Sequence, residues 1–139
     1  MEDRYLFKAK FDDSDRWVKG QLVEVNGTYL IIPNHASKIL AGWFSASNVV
    51  EVKKDTICQC TGLKDKNGKL IWENDVVAYW DTYSTESGYA EADCIGKVVW
   101  DAETISFQVT NRLSAESYEV LDECSVIGNK FDNPELLEV

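Results

Sequence analysis

Thr61-Gly62-Leu63-Lys64-Asp65-Lys66-Asn67-Gly68-Lys69-Leu70-Ile71-Trp72-Glu73-Asn74-Asp75-Val76-Val77 is the stretch on which the fold of this chain turns. Its centre, Asp65-Lys66-Asn67-Gly68, has the residue types of a four-residue reversal. Asp at the first position accepts hydrogen bonds from backbone N–H groups further along the turn, and Gly at the last takes positive φ without a Cβ clash. Leu63 precedes the turn and Leu70, Ile71 and Trp72 follow it, so the turn reads as the tip of a β-hairpin. A second reversal at Glu73-Asn74-Asp75 feeds Val76-Val77-Ala78-Tyr79-Trp80, a β-branched and aromatic run suited to a strand.

Upstream, the chain continues the same pattern. Arg4 to Phe11 alternates, with Tyr5, Phe7, Ala9 and Phe11 on one face and Arg4, Leu6, Lys8 and Lys10 on the other. Asp12-Asp13-Ser14-Asp15 is a polar turn, and Trp17 to Val25 is the return strand. Asn26-Gly27 is a strong hairpin signal, because both central positions of a type I′ turn need positive φ. Thr28 to Ile32 completes a three-stranded meander, which Pro33 ends by withholding an N–H. Asn34 is placed to cap a short helix over 34–41 that Gly42 stops, with Trp43 and Phe44 at the core edge. Val49 to Val52 and Thr56 to Cys60 read as further short strands.

Downstream, Asp81 to Asp93 is rich in Ser, Thr, Glu, Gly and Tyr and lacks a period, which predicts an exposed loop. Gly96 to Trp100 and Thr104 to Val109 read as strands joined by Asp101-Ala102-Glu103, with Ile105, Phe107 and Val109 on one face. Ser117 to Leu121 and Cys124 to Asn129 follow. Asn133-Pro134-Glu135-Leu136-Leu137 has Asn as N-cap, Pro in the first turn and Glu near the positive end of the dipole. The result is an all-β, mainly antiparallel chain of eight to ten short strands with one or two short helical segments. It reads as one domain over 1–139, divisible into a β-meander lobe over 1–57 and a lobe over 58–139 that closes with the helical turn. The second lobe suggests a small barrel or pseudobarrel, partly like an SH3 sheet.

Three stretches together resemble the YopX family of small bacteriophage and prophage proteins. The first is Thr61 to Lys69 followed by an aromatic-Glu-x-Asp-hydrophobic-Val run. The second is the closing Val126-Ile127-Gly128-Asn129-Lys130-Phe131-Asp132-Asn133-Pro134-Glu135-Leu136-Leu137. The third, looser, is Phe7-Lys8-Ala9-Lys10 with Asp15-Arg16-Trp17-Val18-Lys19-Gly20. The resemblance leaves out roughly Asn34 to Asn48 and Asp81 to Asp93. Where the family usually carries Gly, this chain has Asn74, the next most tolerant residue for left-handed geometry. The resemblance implies a largely β fold, an origin in phages or prophages of Gram-positive bacteria, and no established molecular role.

Composition sets limits on function. A chain of 139 residues, 45% hydrophobic and 12% aromatic, suits a folded domain that buries about two-thirds of its unfolded surface. Neither a signal peptide nor a transmembrane run is evident, so four cysteines read as thiols of a cytoplasmic protein in a bacterial host. Residues 1–57 hold eight Lys/Arg and eight Asp/Glu, so residues 58–139 carry the whole net charge of −10. Phosphate contacts need clustered Lys and Arg, and beyond Glu73 only Lys97, Arg112 and Lys130 are basic. Nucleic-acid binding by the C-terminal part is therefore disfavoured. Such acidity first of all keeps a protein soluble, although it also draws basic partners or imitates DNA.

Signs of chemistry are sparse. Cys58 and Cys60 lie on one side of a strand, and Cys94, Cys124 and His35 are the remaining candidates for a zinc site. Structural zinc usually takes two close pairs of ligands, and only one pair exists here. In the resembled family the position of Cys60 is usually aromatic, which implies a core filler. His35 has no evident Ser or Cys partner, Glu73 and Asp75 have a turn role, and Gly62 and Gly68 are spaced for a hairpin rather than a phosphate loop. The chain is expected to have no cofactor and no catalytic residue. Its expected role is to bind a protein partner, another copy of itself included, through exposed strand edges. Lys64, Lys66 and Lys69 with Trp72 form an alternative, weakly basic nucleic-acid surface. Carboxylates Glu86, Glu91, Asp93, Asp101 and Glu103 would form a DNA-like or defence-antagonist face if they lie together. No membrane association is expected. The structural turn residues are Asn26, Gly27, Asp65, Asn67, Gly68, Asn74, Gly128, Asn133 and Pro134.

Overall fold

The computed structural model describes residues 5–33, 49–110, 117–119 and 124–137, with side chains described throughout except at 81–85, 89–93 and 117–119. Eleven strands and two 3-10 turns make up the regular structure of these residues, and the strand pairs are antiparallel. Contacts divide the chain into two compact units, Met1–Cys60 and Thr61–Val139.

In the first unit, β1 (Phe7–Lys10), β2 (Trp17–Val25), β3 (Thr28–Pro33), β4 (Val50–Glu51) and the start of β5 (Cys58–Lys64) lie in the order β4-β3-β2-β1-β5. The predicted Asn26-Gly27 turn is present, with φ of 50° and 84° at its two residues. It sets β2 against β3 so that Leu22 faces Ile31 and Gly20 faces Pro33. Across β1 and β2, Ala9 faces Val18. Directly paired residues share a face, so one side of the sheet gathers the core residues Ala9, Val18, Ile31 and Val52, joined by Phe7, Phe11, Leu22, Tyr29, Val50 and Ile57. Each fully buried aliphatic side chain there contributes about 1.5–3 kcal/mol relative to exposure. Tyr5, expected on this face, is instead largely exposed and precedes the strand. Lys53-Lys54-Asp55 leads into a 3-10 segment over Lys54–Thr56, and Thr56 Oγ1 accepts the Lys10 N–H at 2.9 Å.

The second unit holds β6 (Leu70–Trp72), β7 (Asp75–Thr85), β8 (Gly88–Asp101), β9 (Ser106–Thr110), β10 (Ser117–Glu119) and β11 (Ser125–Asn129). The last five form a sheet in the order β10-β9-β8-β7-β11. Val77, Val98 and Val109 meet on one face with Ile71 and Cys124, and Tyr79, Phe107 and Val126 pack against them. Val98 faces Val109 directly, and Val77 faces Val126.

The expected loop over 81–93 needs correction. Residues 81–93 are not a loop: β7 and β8 run on as paired strands to Thr85 and Gly88, with a two-residue turn between them. The all-β, mainly antiparallel expectation holds, in its looser pseudobarrel form: the sheet of the second unit has β10 and β11 at its edges, and no barrel closes among the described residues. Asn133 directly precedes the 3-10 turn Pro134–Leu137, and its carbonyl accepts the Leu136 N–H at 3.1 Å. Asn133 Oδ1 reaches back to accept the Asn129 N–H at 3.2 Å. The helix predicted over 34–41 and the pair Trp43-Phe44 lie outside the described residues.

Candidate interaction surface

The hairpin that opens the second unit is built on one carboxylate. Asp65 is 5% exposed, and its Oδ1 accepts the N–H groups of Asn67 and Lys69, both at 2.9 Å. Those two bonds close the turn, and Gly68 ends it with φ of 82°. The other oxygen, Oδ2, accepts the N–H of Val126 on β11 at 2.9 Å. The Lys66 N–H meanwhile reaches the Cys124 carbonyl at 3.0 Å, and Asn67 Nδ2 reaches Ser125 Oγ at 3.2 Å. Because β11 is an edge strand, these three contacts put the turn across the edge that β7 does not occupy. Burial raises the Asp65 pKa, but the N–H groups of Val126, Lys69 and Asn67, with the Lys69 charge, outweigh it and hold the carboxyl below the usual Asp value.

The second reversal works in the same way. Asp75 Oδ2 accepts the Trp72 N–H at 2.8 Å. Asn74 takes φ of 71°, the left-handed geometry its type tolerates. Its N–H reaches the Val98 carbonyl at 2.8 Å, and its carbonyl accepts the Lys130 N–H at 2.9 Å. At the chain end, Asn129 Oδ1 accepts the N–H groups of Phe131 and Asp132, and the Asn133 N–H returns to the Asn129 carbonyl. Gly128 is required beneath this loop, because a Cβ there would sit 2.5 Å from Asn133 Oδ1.

Lys64, Lys66 and Lys69 are all exposed on the hairpin. Trp72, the aromatic proposed to work with them, is 3% exposed and offers no ring face for stacking. Two other lysines were not singled out from the sequence. Lys8 and Lys10 are largely buried, with their Nζ atoms 4.9 Å and 5.4 Å from the Trp17 ring centroid. Asp15 stands 4.0 Å from Lys10 Nζ and 3.7 Å from Lys53 Nζ. The alternation of β1 does mark Lys8 and Lys10 as one face, but only the Lys10–Trp17 pairing shows that an aromatic covers them.

All four cysteines are thiols. Cys58, Cys60 and Cys124 are buried, and Cys94 is half-buried. The Cys58 thiol donates to the Thr56 carbonyl at 3.3 Å. Among the described residues, no three His, Cys, Asp or Glu side chains gather as metal ligands would. His35 lies outside the described residues. Of the acidic set, Glu86 and Glu103 are exposed and Asp101 is half-buried, while the side chains of Glu91 and Asp93 are not described.

The outer face of the second unit carries unexpected apolar surface. Ala78 faces Ile95 across β7 and β8, and Trp80 lies two residues along on the same face. This face is opposite to the one that buries Val77 and Val98. Trp80 is 58% exposed and Ile95 is 42% exposed. From Trp80 on, no third described strand pairs with these two. Among the described strands, β11 pairs β7 only as far as Ala78, and β9 pairs β8 only from Lys97 onward. The section from Trp80 to Thr85, paired with Gly88 to Asp93, is thus a two-stranded arm about 20 Å long at the usual rise per residue. At the other end of β8, Trp100 and Phe107 meet edge to face at 5.1 Å. There Ile105 takes φ of 52° with 75% of its surface exposed. No described helix is long and apolar enough to cross a membrane.

Comparison with known proteins agrees with this architecture. The crystal structure of protein EF1440 from Enterococcus faecalis superposes with a TM-score of 0.55 at 24% identity, over 95% of this chain and 96% of that one, which shows a shared fold. No curated protein matches. The family described as YopX protein matches residues 6–138, and the chain belongs to the YopX family.

Proposed function

We propose that this chain is a non-catalytic protein-interaction domain, encoded by a phage or prophage and acting in the cytoplasm of the bacterial host. The observation that carries the reading is the outward apolar face at Trp80 and Ile95, at the root of a two-stranded arm. A large exposed aromatic beside an aliphatic residue is a usual anchor for a protein partner. The backbone edges of a two-stranded ribbon are a ready template for an added strand. Size-exclusion chromatography with light scattering, together with capture from a bacterial host lysate, tests the reading. An oligomer or a retained partner that is lost on Trp80→Asp supports it. A strict monomer that retains nothing contradicts it.

A second reading, nucleic-acid binding through Lys64, Lys66 and Lys69, is favoured by the exposure of all three on one hairpin. A salt-dependent mobility shift with single- or double-stranded DNA, lost in the triple Ala variant, would support it. No shift at low salt would end it.

A further inference from the structure

Building on the interaction reading, we infer that the β7–β8 arm is a docking edge for an extended, Lys/Arg-bearing segment of a partner protein, which joins it as a further strand. Backbone geometry supplies the first part of the case. In an antiparallel pair, alternate residues turn their N–H and C=O groups away from the partner strand. Along Trp80–Thr85 and Tyr89–Asp93, no third described strand takes up those groups. The other edge of β7's sheet is treated differently, since the Asp65 turn covers β11 at Cys124 and Val126. One edge is covered by a dedicated carboxylate, while no third described strand pairs with the arm.

Charge identifies the occupant. Between Leu70 and Gly96 the chain has six acidic residues and no Lys or Arg. Asp75 is used internally and Glu73 sits in the turn, which leaves Asp81, Glu86, Glu91 and Asp93 on the arm. The register sets Asp93 opposite Trp80 and Glu91 opposite Thr82. A second copy pairing arm to arm would bring like charges together, and a phosphate backbone would be repelled as well. A strand with Lys or Arg gains both the ladder bonds and the attraction, and Trp80 at the root offers an apolar anchor for it.

The test uses the full chain and a labelled synthetic peptide of alternating Lys and Val, about eight residues long, read by fluorescence anisotropy. Three controls accompany it: the same peptide N-methylated at alternate residues, its Glu counterpart, and the protein variant D81N/E86Q/E91Q/D93N, checked for unchanged circular dichroism. The expected result is binding of the Lys peptide, weakened about tenfold or more by N-methylation and by the quadruple variant, with none for the Glu peptide. Equal binding of the N-methylated peptide would reduce the effect to bulk charge attraction and overturn the proposal. So would no binding at about 20 mM salt, where screening is weak. A wild-type dimer abolished by the quadruple substitution would assign the edge to a second copy and overturn the basic occupant. A partner retained equally by wild type and variant would sink the arm proposal but leave the interaction reading standing.

Discussion

Asp65 is the residue with most work concentrated on it, since one carboxylate closes a turn and covers a strand edge. In Asp65→Asn one oxygen becomes an NH2 donor, which must face either the Asn67 and Lys69 N–H groups or that of Val126. A loss of about 2–3 kcal/mol is expected from urea unfolding at neutral pH. The pH dependence has a definite sign. The folded pKa is depressed, so the contribution is fully present above the unfolded value of about 3.9 and is lost as pH falls through the folded value. Wild type should therefore lose more stability on acidification below that point than Asp65→Asn does, and equal losses would contradict the assignment. Ile105 is the opposite case, a β-branched residue in left-handed geometry whose side chain is mostly in water. Ile105→Asn should raise stability by about 0.5–1 kcal/mol, because Asn tolerates that φ and little burial is given up. A destabilised variant in thermal unfolding would show that the exposed side chain has a structural role.

Among elements, those that bury one face were legible in the sequence. β2 and β3 alternate because one side packs on Ala9 and Val52, and the Asn26-Gly27 turn fixes their register. The arm was not legible. A ribbon held by backbone pairing demands no alternation of apolar residues, so Asp81 to Asp93 carried no period to read. Trp72 was misplaced as a surface aromatic for a similar reason: a short strand of three apolar residues does not reveal which of them points inward. At the chain end, Asn133 Oδ1 accepts the Asn129 N–H and so ties down the loop between them. That loop makes a further prediction. Gly128→Ala drives a Cβ into Asn133 Oδ1 and should cost about 1–2 kcal/mol in chemical unfolding. The same substitution made with Asn133→Ala should cost less than the two singles together, and strict additivity would disprove the coupling.

For the molecule as a whole, each of the two β units buries an aliphatic cluster of its own, and Trp80 and Ile95 leave apolar surface exposed at the root of the arm. The family match spans residues 6–138. The Asp65 turn then has a physical reason to be there, since it covers β11 at Cys124 and Val126, while no third described strand pairs with the arm. Native-state hydrogen exchange of the full chain, alone and with the Lys/Val peptide, addresses this most directly. The Val126 amide should exchange slowly in both states, and the outward amides of Trp80–Thr85 or Tyr89–Asp93 should exchange fast alone and slow down with the peptide. Rapid exchange at Val126, or arm amides that the peptide leaves unchanged, would contradict the account.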